Sequence, residues 1–207
     1  MFDPNLDKLI ELAATAMIDG KIVAFPTDTV YGVGCASDND EAIADLYALK
    51  GRPSGLRMPL LLSDLSQIEQ VAPTMPEIAE TLAAKYWPGP LTLIVRSHPH
   101  VSQQITGNGN TVAIRIPAHY MPRKLAKLIG TPIIGTSANK SGESACTTYE
   151  AVTLAFPSGL AAILNGGVCD IGVESTIVDC TSAELRLVRQ GALDVTQDLL
   201  NELGNRS

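Results

Sequence analysis

Hydroxyl and carboxylate side chains follow the first apolar strand candidate of the chain. The apolar residues 22–25 end at Pro26, and the stretch TDTVYGVG at 27–34 comes directly after them. This pattern predicts a strand that runs into a loop. A simple turn needs no hydroxyl groups, so Thr27, Asp28 and Thr29 raise the question of what the end of this strand binds.

The glycines of the same stretch resemble a nucleotide-binding motif only in part. The residues GVGCAS at 32–37 have Ser37 where the dinucleotide fingerprint needs its third glycine. We therefore interpret Gly32 and Gly34 as residues that permit a tight turn.

Two further stretches combine a predicted strand with small polar side chains. The residues GTSANKSG at 135–142 miss the P-loop pattern, because Lys140 stands where its second glycine is required. Their hydroxyl and amide groups either cap a turn or bind a ligand, and spacing alone leaves both readings open. The residues GVESTIVD at 172–179 repeat the design of the first loop, with Glu174 and Ser175 at the start of a predicted strand.

Cations cluster in one short segment and recur inside one strand. The stretch KGRPSGLR gathers Lys50, Arg52 and Arg57, with Lys50 and Arg52 at the end of a predicted helix, where the helix dipole favours cations. Its proline and glycine residues instead allow a loop from which the cations can converge on phosphates. We expect exposed loop cations that contribute little to folding stability. Arg115 lies in the apolar run AIRIP, and alternation predicts the solvated face for its guanidinium. A bidentate carboxylate is the sharper alternative.

The elements that must position these residues alternate unevenly along the chain. Apolar runs predict strands at 22–25, 59–62, 91–95, 112–116, 132–135, 161–164, 175–179 and 185–188. Helical patterns precede Gly20, follow a cap at Asp38 or Asn39, and cover 76–86, 121–129, 148–156 and 195–203. This order predicts an α/β fold with a mixed sheet. The 207 residues show neither a repeat nor a linker, so we expect a single domain over 1–207.

Composition argues against several classes of function. The net charge of −7 opposes general attraction to nucleic acid. Four scattered cysteines lack C-x-x-C spacing, and no cluster of carboxylates or histidines suggests a metal site. The acidic N-terminus does not resemble an export signal, and no apolar stretch is long enough to span a membrane. We therefore expect a cytoplasmic protein.

Seven stretches together identify a family resemblance. In chain order they are PTDTVYGVG, KGRP, WPGPLTLIV, TVAIRIPAH, GTSANKSG, GVESTIVD and VRQGAL. This series, from about residue 15 to 193, resembles the YrdC-like family of L-threonylcarbamoyladenylate synthases. The resemblance implies a twisted mixed β-sheet with flanking helices around a large concave cleft. It also implies a reaction that joins L-threonine, bicarbonate and ATP, with Mg²⁺ bound to the ATP, and releases pyrophosphate.

The resemblance also assigns roles to individual residues. It implies that L-threonine is bound by Thr29, Arg115, Ser137 and Ser175. It implies that ATP is bound by Lys50, Arg52, Thr111, Asn139, Thr147 and Arg189, with Lys50 and Arg52 as the catalytic cations. Many family members have Asn or Lys at the position of Leu56, where Arg57 could substitute, and some have His at that of Leu61.

The product implied by the resemblance is the donor for N6-threonylcarbamoyladenosine (t6A) in tRNA. Proteins that transfer the threonylcarbamoyl group to tRNA would then be downstream partners, and weak contact with tRNA is left open. Two alternatives to the synthase remain. The same cleft could serve an RNA-binding module for double-stranded RNA or tRNA, or a relative that transfers a carbamoyl group to another acceptor.

Overall fold

Helices and strands alternate over most of the chain in the computed structural model, which describes residues 4–53, 55–182 and 185–196. The α-helices are α1 (Pro4–Ile18), α2 (Asp40–Lys50), α3 (Glu77–Tyr86), α4 (Gln103–Thr106), α5 (Tyr120–Ile129) and α6 (Tyr149–Ala155). A 3₁₀ helix covers Leu65–Gln70. The strands are β1 (Val23–Phe25), β2 (Gly32–Gly34), β3 (Leu60–Leu61), β4 (Leu91–Arg96), β5 (Thr111–Arg115), β6 (Ile133–Ile134), β7 (Thr136–Ser137), β8 (Ala162–Ile163), β9 (Thr176–Asp179) and β10 (Arg186–Arg189).

The α/β fold and the predicted strands are confirmed, with each strand boundary within one residue of its predicted position. All but the first two residues of the helix predicted at 195–203 lie outside the described residues. The tight turn predicted at Gly32 and Gly34 is wrong, because these residues form β2, which pairs with β1 and β7. A Cβ on Gly34 would lie 1.6 Å from the Ile134 carbonyl oxygen, so close approach of two chain segments requires this glycine.

The strands form two mixed sheets where the sequence predicted one. The four-stranded sheet has the order β7-β2-β1-β8, and the six-stranded sheet has the order β10-β9-β4-β5-β3-β6. The chain passes from one sheet to the other at the apolar run 132–135, which the sequence predicted as one strand. β6, within this run, belongs to the larger sheet, and β7, which begins just after Gly135, belongs to the smaller one. A bridge between Ala36 and Ile133 also connects the two sheets.

Two apolar clusters hold the sheets and helices together. The larger cluster covers one face of the six-stranded sheet and contains Leu91, Leu93 and Val95 of β4. The smaller cluster joins α1 to α5 through residues such as Ile10 and Leu125. Because side chains alternate along a strand, the residues between the members of the larger cluster must point to the opposite face of the sheet.

One row of side chains crosses that opposite face. Leu61 of β3 pairs with Arg115 of β5, and Thr92 of β4 pairs with Ile177 of β9. β4 and β5 are antiparallel with Leu93 opposite Ile114, so one residue further along Thr92 comes opposite Arg115. The register therefore places Ile177, Thr92, Arg115 and Leu61 side by side on one face of the sheet.

Candidate active site

The row of four side chains forms the floor of a cleft between the two sheets. The cleft has a volume of about 210 Å³, and Leu61, Thr92, Arg115 and Ile177 all line it. Its opposite wall comes from the loop after β1 and from Thr136 and Ser137 of β7. Polar groups of one sheet thus face polar groups of the other across a concave space, as is typical of small-molecule sites.

The loop after β1 is fixed by the hydroxyl group of Thr27. Its Oγ1 donates a hydrogen bond to the Val30 carbonyl (2.7 Å) and accepts bonds from the backbone N–H groups of Thr29 and Val30. It also lies 2.9 Å from Thr29 Oγ1. Because the single hydroxyl hydrogen of Thr27 goes to Val30, Thr29 must be the donor in the Thr27–Thr29 bond.

Arg115 is buried and its guanidinium is oriented by three partners. Nε donates to the Gly89 carbonyl (2.9 Å), Nη1 donates to Thr29 Oγ1 (2.9 Å) and Nη2 donates to Asp28 Oδ1 (2.6 Å). The side chain is 5% exposed, so the solvated face predicted by alternation is wrong. Arg115 lies on the face of the six-stranded sheet that points away from the larger apolar cluster, and the loop after β1 covers this face. The alternative was correct that the guanidinium pairs with a carboxylate, that of Asp28, but the pair is not bidentate, because only Oδ1 accepts a bond from Arg115.

Burial affects the electrostatics of this arginine. It lowers the pKa of the Arg115 guanidinium, while the Asp28 carboxylate acts in the opposite direction. A guanidinium has five N–H groups and three of them bind the chain itself. The other two N–H groups, one on each terminal nitrogen, have no hydrogen-bond partner among the described residues, and Arg115 lines the cleft.

Ser175 and Arg189 form a second hydrogen-bonded group on the cleft wall. Ser175 Oγ lies 2.8 Å from Thr92 Oγ1 and accepts a bond from Arg189 Nη2 (3.2 Å). Arg189 also donates to the Ser175 carbonyl and forms an ion pair with Glu174 (2.7 Å). The side chains of this ion pair are more than a third exposed. Arg189 is therefore mainly engaged by its own chain.

Lys50 is buried, which corrects the expectation of an exposed loop cation. It is 3% exposed in the last turn of α2, and its Nζ donates to the carbonyls of Ser137 (2.5 Å) and Asn139 (2.9 Å). The backbone N–H of Ser141 donates to the Lys50 carbonyl in return. Burial and, to a lesser extent, the charge of Arg52 lower the pKa of Lys50 to about 8. This lysine holds the loop after β7 against the end of α2.

Arg52 and Arg57 keep the character that the sequence predicted. Arg57 is exposed, Arg52 is half-buried, and both line the cleft. Within the described part of the chain, each donates a single bond to a backbone carbonyl: Arg52 to that of Arg57 (3.2 Å), and Arg57 to that of Thr106 (3.3 Å). Among the described residues, no carboxylate lies within ion-pair distance of either guanidinium. Their charges face the cleft without compensation.

A neighbouring hollow extends the cleft past Arg189. It has a volume of about 500 Å³ and shares Val30, Glu174 and Arg189 with the cleft. Asn139 lines it, and the Nδ2 group of this residue donates to the carbonyls of Lys140 and Glu143. Asn139 Oδ1 is buried and has no hydrogen-bond partner within the described part of the chain. An unpaired buried acceptor of this kind can receive a hydrogen bond from a ligand.

The structure brings together most of the residues that the resemblance assigned to a site. Seven line the cleft, namely Thr29, Arg52, Arg57, Arg115, Ser137, Ser175 and Arg189. Lys50 lies behind the cleft wall and Asn139 lies in the neighbouring hollow. Thr111 and Thr147 are not on the cleft wall, and Thr111 begins the strand that Arg115 ends, about 13 Å away by strand geometry.

Sequence reasoning missed two residues of the site, Thr92 and Ile177, which belong to its floor. It noted Asp28 and Glu174 but did not predict that they pair with Arg115 and Arg189. Strand register would have revealed the floor, but register is not visible in a single sequence. Of the two family departures, Leu61 lies in the floor, whereas Leu56 is 47% exposed and does not line the cleft.

The described residues do not fit a resident metal ion. Within them, no group of three His, Cys, Asp or Glu side chains is arranged to hold a metal. Glu174 is the carboxylate on the cleft wall, and Arg189 already pairs with it. A metal ion in this cleft would therefore depend on ligands that a substrate supplies.

The four cysteines are buried and unpaired. Burial raises the pKa of the thiols of Cys35 and Cys180 to about 12, which makes them poor nucleophiles. Among the helices that the structure describes, none has the length and hydropathy needed to cross a bilayer.

Two relatives with the same name resemble this chain. Threonylcarbamoyl-AMP synthase of Pyrococcus abyssi is 40% identical over 188 residues, which are 91% of this chain and 55% of that protein. Threonylcarbamoyl-AMP synthase of Vibrio vulnificus is 34% identical over 189 residues, which are 90% of this chain and 98% of that protein. The chain thus spans little more than half of the first relative and nearly all of the second.

Solved structures agree with the sequence comparison. The crystal structure of Pyrococcus abyssi Sua5 complexed with L-threonine matches with a TM-score of 0.89 at 39% identity, over 94% of this chain and 57% of that chain. Residues 15–191 match the family Sua5/YciO/YrdC, described as telomere recombination. Because this match covers most of the sequence and the Vibrio vulnificus relative is matched over nearly its full length, the chain belongs to the Sua5/YciO/YrdC family.

Proposed function

We propose that this protein is an L-threonylcarbamoyladenylate synthase. It would make threonylcarbamoyl-AMP and pyrophosphate from L-threonine, bicarbonate and ATP. One observation carries the proposal: a single cleft contains all four side chains expected to bind threonine together with Arg52, Arg57 and Arg189. Two relatives named threonylcarbamoyl-AMP synthase and a solved relative in complex with L-threonine support it.

Arg115 is suited to bind the carboxylate of an amino acid. Its two free N–H groups lie on different nitrogens, so they can bind both oxygens of a carboxylate. Thr29 Oγ1 already donates its hydrogen to Thr27 and accepts one bond from Arg115, so it can only accept a second bond. Thr29 therefore suits the amine or the hydroxyl hydrogen of threonine, and Arg115 suits the carboxylate.

The chemistry needs no covalent nucleophile from the protein. The nitrogen of threonine attacks the carbon of carbon dioxide or bicarbonate, forms an N–C bond and loses a proton, with water leaving when bicarbonate reacts. An oxygen of the resulting carbamate attacks the α-phosphorus of ATP. A new O–P bond forms, the bond to the bridging oxygen breaks, and pyrophosphate leaves with the electron pair. The protein contributes by positioning the reactants and stabilising charge.

Arg52 and Arg57 would stabilise the charge on the phosphates. Their guanidinium groups face the cleft and have no carboxylate partner within the described residues. We propose that Mg²⁺ enters as MgATP, held by the phosphates, because Glu174 is the one carboxylate among the described lining residues and is already paired with Arg189. Lys50 would act mainly by holding the backbone of Ser137 and Asn139 in place.

The product would serve tRNA modification in the cytoplasm. Threonylcarbamoyl-AMP would pass to proteins that transfer its threonylcarbamoyl group to tRNA during t6A formation. The net charge of −7 disfavours strong binding of RNA by the chain itself.

Mass spectrometry of a reaction mixture tests this proposal. Purified protein is incubated with ATP, Mg²⁺, bicarbonate and threonine or serine, with and without added tRNA. We expect threonylcarbamoyl-AMP and pyrophosphate without tRNA, and less product from serine. Absence of product with threonine would overturn the proposal. Tight tRNA binding at physiological salt would then favour the RNA-binding alternative, and a carbamoylated acceptor other than threonine would favour carbamoyl transfer.

A further inference from the structure

Asp28 is a polar side chain of the loop after β1 that no proposed substrate contact uses. It is 9% exposed, and its Oδ1 accepts bonds from Arg115 Nη2 (2.6 Å) and from the backbone N–H of Ala118 (3.1 Å). Its own carbonyl accepts a bond from the backbone N–H of Ile171 (3.2 Å). One carboxylate oxygen therefore connects the loop after β1, the end of β5 and the segment that leads into α5.

Asp28 lies behind the cleft rather than in it. Thr27, Thr29 and Arg115 line the cleft wall, whereas Asp28 does not. Its second oxygen, Oδ2, is buried and has no hydrogen-bond partner among the described residues. Asp28 can therefore act on a ligand only through the guanidinium that it binds.

We infer that Asp28 is a positioning residue for the amino-acid substrate, an inference that rests on the proposed function. Together with Gly89 and Thr29, its Oδ1 fixes the plane of the Arg115 guanidinium. The two free N–H groups of Arg115 then have one orientation before any substrate arrives. Without Asp28, the guanidinium loses its shortest hydrogen bond and its counter-charge, and the pair of N–H groups is no longer directed into the cleft.

Three variants separate the position of the acceptor from its charge. Asp28→Asn keeps an oxygen at the position of Oδ1 and removes the charge, and its nitrogen replaces Oδ2, which accepts no bond from the described residues. Asp28→Ala removes the acceptor, and Asp28→Glu keeps the charge but moves the carboxylate by one methylene group. Threonine and ATP binding are measured by calorimetry on each folded variant, alongside thermal unfolding.

We expect Asp28→Ala and Asp28→Glu to raise the Kd for threonine by about tenfold or more, because the oriented acceptor is lost in both. Asp28→Asn should stay within about threefold of the wild type, since one neutral acceptor replaces a charged one. The Kd for ATP should change by less than about twofold in all three variants, because only the orientation of the Arg115 guanidinium changes. If Asp28→Ala does not fold, Asp28→Glu carries the same expectation.

Gln67→Ala is the matched control. Gln67 is 5% exposed, and its side chain also joins two backbone segments, through Ser63 N–H and the Ala126 carbonyl, but it does not line the cleft. It should lower the melting temperature without changing threonine binding. Three outcomes would each overturn the inference. Asp28→Ala and Asp28→Glu could both bind threonine as tightly as the wild type, or a variant could lose threonine and ATP binding equally. Asp28→Asn could also lose as much threonine affinity as Asp28→Ala. Failure of the wild type to bind threonine would instead contradict the proposed function.

Discussion

The two ends of the cleft are built in opposite ways. At the Arg115 end, a buried guanidinium is 5% exposed and has a carboxylate, a hydroxyl and a carbonyl as fixed partners. In the cation loop, residues 50–57, Arg52 and Arg57 each donate one bond to a backbone carbonyl, and no carboxylate is recorded near them among the described residues. One end is organised in advance, and the other retains uncompensated charge.

The difference corresponds to what each end would have to bind. A small amino acid offers few contacts, so its recognition depends on groups that already have the correct orientation. A triphosphate carries several negative charges and is attracted by cations that have no other partner. Changes at the Arg115 end should therefore affect threonine alone, and changes in the cation loop should affect the nucleotide step.

Arg115→Lys should have the largest effect. An ammonium group cannot bind Asp28, Thr29 and a ligand carboxylate in one plane, so we expect the KM for threonine to rise on the order of 100-fold, about 3 kcal/mol. The KM for ATP should stay within about twofold, since only the Arg115 end changes. Steady-state kinetics with each substrate varied in turn provide the measurement. Arg123→Lys, outside the cleft lining, is the control. Equal losses for both substrates with the fold intact would argue against the role of Arg115.

Arg52→Ala should mainly affect catalysis and Lys50→Met should mainly affect folding stability, although the two cations are only two residues apart. Arg52→Ala should lower the rate of adenylate formation by about tenfold or more with little change in melting temperature, because a half-buried cation with one backbone contact contributes little to folding. Lys50→Met should lower the free energy of unfolding by roughly 1–3 kcal/mol, because the carbonyls of Ser137 and Asn139 lose their donor. Chemical denaturation and single-turnover kinetics distinguish the two. Equal stability of both variants would contradict the buried position of Lys50.

The buried Lys50 should also make the free energy of unfolding depend on pH. Its pKa is about 8 in the folded protein and 10.5 in the unfolded chain, so the unfolded chain binds more protons between these values. The free energy of unfolding contributed by Lys50 is therefore constant below pH 8 and rises with pH from about 8 to 10.5, by at most about 1.4 kcal/mol per pH unit. The difference between wild type and Lys50→Met isolates this contribution, because the cysteines and tyrosines are common to both. A difference that does not change with pH would contradict it.

Leu61→Val and Leu60→Val should show the smallest and most selective effect. Both leucines are buried in β3, but Leu61 lies beside Arg115 in the cleft floor and Leu60 belongs to the larger apolar cluster. We expect similar destabilisation, about 1 kcal/mol each. Leu61→Val alone should reduce the preference for threonine over serine by about threefold, because it removes a contact with the methyl group. The ratio of kcat/KM for the two amino acids is the measurement. An unchanged ratio in Leu61→Val would place the methyl group elsewhere.

Local sequence patterns were sufficient to predict which residues matter and most of the elements that hold them. The apolar runs predicted β1, β4, β5 and β9, and the motifs selected seven residues that line the cleft. These predictions succeed because strand alternation, helix caps and turn chemistry depend on neighbours along the chain. The same locality explains the correct placement of Lys50 and Arg52 at the end of α2.

Only the tertiary structure decided which side chains face one another. The sequence suggests a turn at Gly34 and the end of a strand at Gly135, yet Gly34 allows the two sheets to approach and Gly135 marks the change from β6 to β7. Arg115 is buried because the loop after β1 covers it, and Lys50 is buried because the loop after β7 closes over α2. Partners 86 or 87 residues apart leave no periodic signal, so their pairing depends on strand register and sheet packing.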